Sequence, residues 1–141
     1  MAQSGLMTAI LLAGYINTGS WHSTATTLAA ILLFSIAATC GIMGTLSLKS
    51  SLTPFPAARR SSRLVRHGIY RFMRHPLYTG VMAAAAGWAT WRGSLLALAI
   101  TALLGWFFDD KSRAEERWLC QVFPDYPDYA RKVRRFIPGL Y

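Results

Sequence analysis

From Ala25 to Leu48 the chain runs for 24 residues without one charged side chain. At 1.5 Å per residue this makes about 36 Å of helix, and the hydrocarbon core of a bilayer is about 30 Å thick. The segment is therefore predicted to cross a membrane. Charge elsewhere is sorted in the same sense. No residue before Lys49 is charged, and all six acids (Asp109, Asp110, Glu115, Glu116, Asp125 and Asp128) lie beyond Phe108. A chain of 141 residues that is 53% hydrophobic, with its charges gathered beside apolar runs, reads as an integral membrane protein with polar caps. The N-terminus lacks the basic start of a signal peptide, and a second apolar segment follows it closely, so it too reads as a membrane segment.

Three further apolar segments are expected: Gly5 to Ile16, Leu77 to Trp91 and Ser94 to Phe108. Asn17 to Ser20 reads as a turn, and Arg92-Gly93 as a tight hairpin corner. The last two segments have fifteen residues each, or about 22 Å of helix, which is short for a full span. Either they extend into their polar flanks or the hairpin sits off-centre in the bilayer. Pro76 suits the first turn of the third helix, where its missing N–H costs nothing. Asp109 to Val122 holds neither Pro nor Gly, and Lys111 and Glu115 have helical i, i+4 spacing. One helix from about Ser94 to Cys120 is predicted, ended by Phe123-Pro124. A short helix from Asp128 to Arg135 should follow, closed by Pro138-Gly139.

Orientation follows from the basic residues. Arg59 to His75 holds six arginines and no acid, which places that loop on the cytoplasmic side. With four crossings, both termini are cytoplasmic as well. The formal net charge of +9 does not call for nucleic acid, because anionic lipid headgroups account for basic residues that flank apolar segments. The run Arg59-Arg60-Ser61-Ser62-Arg63 reads as a solvated collar. Cys40 and Cys120 form no disulfide framework, and neither has metal-ligand spacing with the three histidines, so no metal site is expected. No nucleophilic triad, glycine-rich phosphate loop or GxGxxG fingerprint is present.

Chemistry is then left to three polar clusters that a helical hairpin would bring together: Arg66 to Tyr78, Asp109 to Arg117 and Asp125 to Arg135. Arg74-His75-Pro76-Leu77-Tyr78 sets a cation, an imidazole and a phenol at the mouth of a helix. Glu115 and Glu116 point about 100° apart on a helix, so one can face a pocket squarely while the other braces it. Glu115 has Lys111 or Arg113 within reach as a partner, and Glu116 a basic residue of the tail. A carboxylate here can bind a ribose hydroxyl pair, an ammonium or a sulfonium. Arg71, Arg74 or Arg134 can orient a substrate carboxylate by a bidentate contact, and would serve a lipid phosphate equally well.

Leu52-Thr53-Pro54-Phe55-Pro56, Leu64-Val65-Arg66-His67-Gly68-Ile69-Tyr70-Arg71, Arg74-His75-Pro76-Leu77-Tyr78-Thr79-Gly80, Glu115-Glu116 and Phe123-Pro124-Asp125-Tyr126 occur in that order. Together they resemble the isoprenylcysteine carboxyl methyltransferase family, whose superfamily includes membrane phospholipid N-methyltransferases. The resemblance runs from Leu52 to the C-terminus. It implies S-adenosyl-L-methionine as methyl donor, bound at the cytosolic rim between the hairpin and the C-terminal segment. It implies cofactor contacts from His75, Pro76, Tyr78, Gly80, Glu115, Glu116, Tyr126 and Tyr129, and it matches Arg74 to the basic residue of the first motif. Arg74, Glu116 and Arg134 are read as the catalytic set, the two arginines as candidates to orient the substrate. Arg66-His67 and Ile69 depart from the family pattern, at the loop entrance rather than at the cofactor positions.

The expected fold is an all-α integral membrane protein of about four transmembrane helices. It has a helical hairpin and a cytosolic C-terminal helical segment that completes a cofactor pocket. A single domain over 1–141 divides into N-terminal helices (1–48), a basic loop (49–76), the hairpin (77–108) and the C-terminal segment (109–141). The expected location is a bacterial inner membrane, with the site toward the cytoplasm. A lipophilic acceptor would enter laterally between helices, past the small residues Gly41/Gly44 and Ala83 to Gly87, which plain helix packing explains as well. Methyl transfer to a carboxylate needs no base, whereas transfer to an amine does. The readings set beside O-methylation are phospholipid or small-amine N-methylation, and a non-catalytic membrane scaffold.

Overall fold

The computed structural model describes residues 2–19, 21–49 and 64–140. The Leu52 to Pro56 motif and the Arg59 to Arg63 run lie outside these residues. Among the described residues five α-helices follow in order: α1 (Ala2–Ile16), α2 (Thr24–Lys49), α3 (Pro76–Arg92), α4 (Leu95–Val122) and α5 (Tyr126–Lys132). A 3-10 turn, Gly68–Arg71, leads into α3. Among the described residues no strand forms; an isolated parallel bridge joins Met73 to Arg134.

The helix α3 occupies the centre, packed on α2 along one side and on α1 and α4 along the other. Its small residues permit this. A Cβ on Gly80 would come within 3.2 Å of the Ala37 carbonyl oxygen, and one on Gly87 within 3.3 Å of Leu33. Ile10, Ala13, Ala89, Ala97, Leu104, Phe108 and Phe136 form the principal core, where α1, α3, α4 and the tail meet. The region Thr24–Leu48 of α2 is long and apolar enough to cross a membrane, with a mean hydropathy of 2.0. Leu28, Ile31, Leu32 and Leu46 stand exposed on it, as expected of a surface made for acyl chains.

The hairpin corner has a clear local cause. Gly93 takes the left-handed conformation (φ 62°) that ends α3. Ser94 caps α4, its Oγ accepting from the Ala97 N–H at 3.2 Å. The α1 end meets this corner. Arg92 Nε donates to the Gly14 carbonyl at 2.9 Å, Ser94 Oγ donates to the Ala13 carbonyl at 3.3 Å, and Trp21 Nε1 donates to the Gly93 carbonyl. The 17–23 connection and the 92–94 corner thus share one end of the bundle, away from the polar clusters.

Two expectations shift. The long helix runs to Val122, two residues past Cys120. The short tail helix spans Tyr126–Lys132 instead of Asp128 to Arg135. Pro127 is tolerated in its first turn. Beyond Lys132 the chain is extended at Val133, because its backbone is engaged by residues 74 and 75.

Candidate active site

Pro76 disfavours the helical region for the residue before it, and His75 accordingly adopts φ −124°, ψ 60°. Its backbone is open to a neighbouring strand-like segment, and the tail supplies one. The Arg74 N–H donates to the Arg134 carbonyl at 2.9 Å, and the His75 N–H to the Arg135 carbonyl at 3.0 Å. Thr79 Oγ1 donates to the Phe136 carbonyl at 3.1 Å. The start of α3 is thereby fastened to a segment some sixty residues later.

The continuous α4 brings up the acids. Glu116 turns inward, its side chain 12% exposed, while Glu115 is 45% exposed. His75 Nε2 lies 3.0 Å from Glu116 Oε1. Arg135 donates to the same carboxylate from Nε at 3.2 Å and from Nη2 at 3.0 Å, and its Nη1 donates to Asp109 Oδ1 at 2.8 Å. Arg74 Nη2 stands 3.4 Å from Glu116 Oε1. Burial alone would raise the Glu116 pKa. Hydrogen bonds from His75 and Arg135, with the charges of Arg74 and Arg135, reverse this and hold it down to about 2. Glu116 is thus an ionised, acceptor-only group, so the 3.0 Å contact calls for a hydrogen on His75 Nε2.

The second glutamate has other contacts. Tyr78 Oη donates to Glu115 Oε2 at 2.9 Å, and His75 Nδ1 lies 3.9 Å from that oxygen. The rings of His75 and Tyr78 stack at 5.3 Å. Lys111 does not pair with Glu115 as its spacing suggested. It donates to Gln3 Oε1 at 2.9 Å and sits 5.1 Å from the Tyr78 ring centroid. Arg113 pairs with Asp109 at 2.8 Å instead.

Tyr126 and Tyr129 are buried, edge to face at 5.8 Å. Tyr129 Oη donates to the Tyr70 carbonyl at 2.6 Å, tying α5 to the 3-10 turn. Burial, chiefly, pushes the Tyr129 hydroxyl up to about 12, so it remains a donor. Arg74 Nη1 donates to the Ala130 carbonyl at 3.4 Å. Its Nε is buried without a hydrogen-bond partner among the described residues.

Most of the sequence-derived set gathers here: Arg74, His75, Tyr78, Glu115, Glu116, Tyr126 and Tyr129. Pro76 is buried against α2 near Gly44, and Gly80 lies at the α2–α3 contact, so both shape a wall. Arg134 is not brought in. Its side chain is exposed, and the inward guanidinium belongs to Arg135, since neighbours on an extended chain project to opposite sides. Arg71 is exposed too. The sequence reading missed Arg135 and Asp109. A signal existed: Asp109 lies two helical turns before Glu116, so both face the same side of α4.

Beside this polar cluster opens an apolar cavity of about 450 Å³ between α1, α2 and α3. Its α3 wall runs from Leu77 and Gly80 through Ala84 to Trp88, about 16 Å along the helix axis. Gly41 opens onto it with nothing within 4 Å of an added Cβ. Of the small residues expected on a lateral path, Gly41, Ala84 and Ala85 line the cavity, whereas Gly44 and Gly87 pack against Leu77 and Phe34.

A family model described as phospholipid methyltransferase matches residues 23–126. Among curated proteins, the chain is 33% identical over 85 residues to the cobalt-zinc-cadmium resistance protein CzcN of Cupriavidus metallidurans, covering 60% of this chain and 39% of that protein. It is 38% identical over 80 residues to a probable protein-S-isoprenylcysteine O-methyltransferase of Oryza sativa subsp. indica, covering 55% and 42%. It is 38% identical over 79 residues to the protein-S-isoprenylcysteine O-methyltransferase of Saccharomyces cerevisiae, covering 55% and 33%. The chain spans about two fifths of the length of the first two of these relatives. No solved structure gives a significant match.

Proposed function

Since the chain belongs to the phospholipid methyltransferase family, we propose that it is an S-adenosyl-L-methionine-dependent membrane methyltransferase acting on a lipophilic acceptor at the membrane interface. The acceptor is of the isoprenylcysteine carboxyl type. The observation that carries this is a juxtaposition. A buried cluster of Arg74, His75, Glu116 and Arg135 stands at the start of α3, and a largely apolar cavity begins on the same helix at Leu77, between Pro76 and Tyr78. A charged cofactor suits the first compartment and an alkyl or prenyl chain the second.

The donor set fits the cofactor. Arg74 Nε is a buried donor free for a carboxylate, and Glu115 keeps a half-exposed carboxylate for a hydroxyl pair or an ammonium. Tyr126, Tyr129 and Tyr78 supply aromatic surface, while Pro76 and Gly80 shape the wall toward α2. When bound, the cofactor supplies a methyl group already activated by its sulfonium. What remains for the protein is positioning. Arg74 holds the anionic end of a ligand, Glu116 stays ionised and fixes His75, and the Leu77 to Trp88 wall takes the acceptor chain out of water. A carboxylate acceptor needs no base. The description of the family model favours a second reading, methylation of a phospholipid or small amine.

The same reading makes residues 1–141 a single membrane domain with four crossings, in a bacterial inner membrane, with both termini and the site cytoplasmic. Calorimetric binding of S-adenosylmethionine and its demethylated product to the purified protein in detergent tests the proposal. Micromolar binding that is lost in Glu116→Ala is expected. A folded wild-type protein that binds neither would overturn it and leave a membrane scaffold. A panel of prenylated acids and amine headgroups then separates the two acceptors.

A further inference from the structure

Residue 135 touches the site twice. Its carbonyl accepts the His75 N–H at 3.0 Å, and its guanidinium grips the carboxylate that accepts from the His75 ring. Backbone, guanidinium, carboxylate and imidazole thus form a closed ring. Asp109, 2.8 Å from Nη1, anchors the guanidinium from below.

We propose that Arg135 is a positioning residue: by pinning Glu116 it locks His75 with Nε2–H toward that carboxylate, so that bare Nδ1 and Glu115 Oε2 form a paired acceptor for a donor-rich group. The two acceptor atoms face each other at 3.9 Å. This is too long for a hydrogen bond, and neither atom has a proton to offer the other while His75 is neutral. A group with two donor hydrogens, such as a hydroxyl pair or an ammonium, matches both. The groups facing the imidazole are Arg74 and Tyr78 from its own stretch, Glu115 and Glu116 from α4, and Arg135 from the tail. Among them Tyr78 already donates to Glu115 Oε2, which fixes that oxygen in place and leaves it a second lone pair. Naming the donor-rich group as part of S-adenosylmethionine rests on the function proposed above; the locked imidazole does not.

The test uses the whole chain in detergent, labelled with 15N-histidine. Only three histidines are present, and His75→Asn assigns the resonances. Ligand-free wild type at alkaline pH should show His75 as the Nε2–H tautomer, with a slowly exchanging ring proton. Arg135→Gln should broaden or lose that proton and weaken binding of the demethylated cofactor at least tenfold. Arg134→Gln, one residue away and outward, should change neither, and Arg135→Lys should restore part of both. An Nδ1–H tautomer in wild type overturns the proposal. So does an Arg135→Gln protein that matches Arg134→Gln in spectrum and affinity. If Arg135→Gln does not fold, Asp109→Asn, which loosens the same guanidinium, is read in its place with the same expectations. Failure of wild type to bind the cofactor would sink the functional reading, while the ligand-free spectra still decide the role of Arg135.

Discussion

Tyr78 and Phe108 stack across the α3–α4 hairpin, 4.7 Å between centroids and 13° from parallel. The stack holds the Tyr78 hydroxyl where it donates to Glu115. Tyr78→Phe keeps the ring and deletes the donor. It should leave the thermal midpoint within a few degrees of wild type, because an exposed hydrogen bond contributes on the order of 1 kcal/mol or less. Cofactor affinity, measured by calorimetry, should fall several-fold as Glu115 loses its fixed orientation. Tyr78→Ala should be markedly less stable, since it also removes the stack.

Gly41→Leu is the cleanest probe of the apolar cavity. A Cβ there meets nothing within 4 Å, and the residue lines the cavity wall. The side chain would project into the cavity and take up part of it. Folding and cofactor binding should be retained while KM for a prenylated or acylated acceptor rises about tenfold or more, consistent with the loss of a few buried methylene groups. Unchanged KM across acceptors of different chain length would assign the acceptor to another surface.

Stability should follow Glu116 at acid pH. Its folded pKa is lowered from 4.5 to about 2, so the ionised form stabilises the fold above the ordinary carboxylate range. That contribution is lost as pH falls from about 4.5 toward about 2, and amounts to roughly 3 kcal/mol. The gap in thermal midpoint between wild type and Glu116→Gln should therefore be widest near neutral pH and close across that window. Parallel curves would mean that Glu116 titrates normally.

Gly68 holds φ +60°, and a Cβ there would run into Ser47 Oγ. Gly68→Ala should cost about 1–3 kcal/mol from the backbone strain alone. The damage should appear first where the 3-10 turn meets α2, as faster hydrogen exchange at Ile69 and Tyr70. Gly139 also has a positive φ but meets nothing within 4 Å, so Gly139→Ala should carry the backbone cost without the collision.

Helix α4 was legible as far as Cys120 because no proline interrupts it, and an assumed hairpin brings Glu115-Glu116 toward Arg74 to Tyr78. Which of the two adjacent glutamates meets His75 was not legible, since only the rotation of the helix decides it. The choice between Arg134 and Arg135 was not legible. Both are arginines, and only the extended pairing of the tail with residues 74 and 75 decides which faces inward. That pairing is long-range and leaves no periodic trace. The C-terminal boundary of α5 failed for the same reason: local propensity favours helix past Lys132, and the backbone bonds of residues 134 and 135 to Arg74 and His75 override it. The partner of Lys111 was hidden too, because i, i+4 spacing shows what a lysine can reach on its own helix and not that α1 presents Gln3 to it.

The unbroken α4 acts as a ruler. From the cap at Ser94 to Glu116 is about 33 Å of helix. The height of the carboxylate above the hairpin corner is therefore set by residue count and not by loops. A one-residue insertion anywhere along this rod lifts Glu116 by about 1.5 Å and swings it through about 100°, away from His75 and Arg135 together. Changes of length in α4 should thus be tolerated only in whole turns.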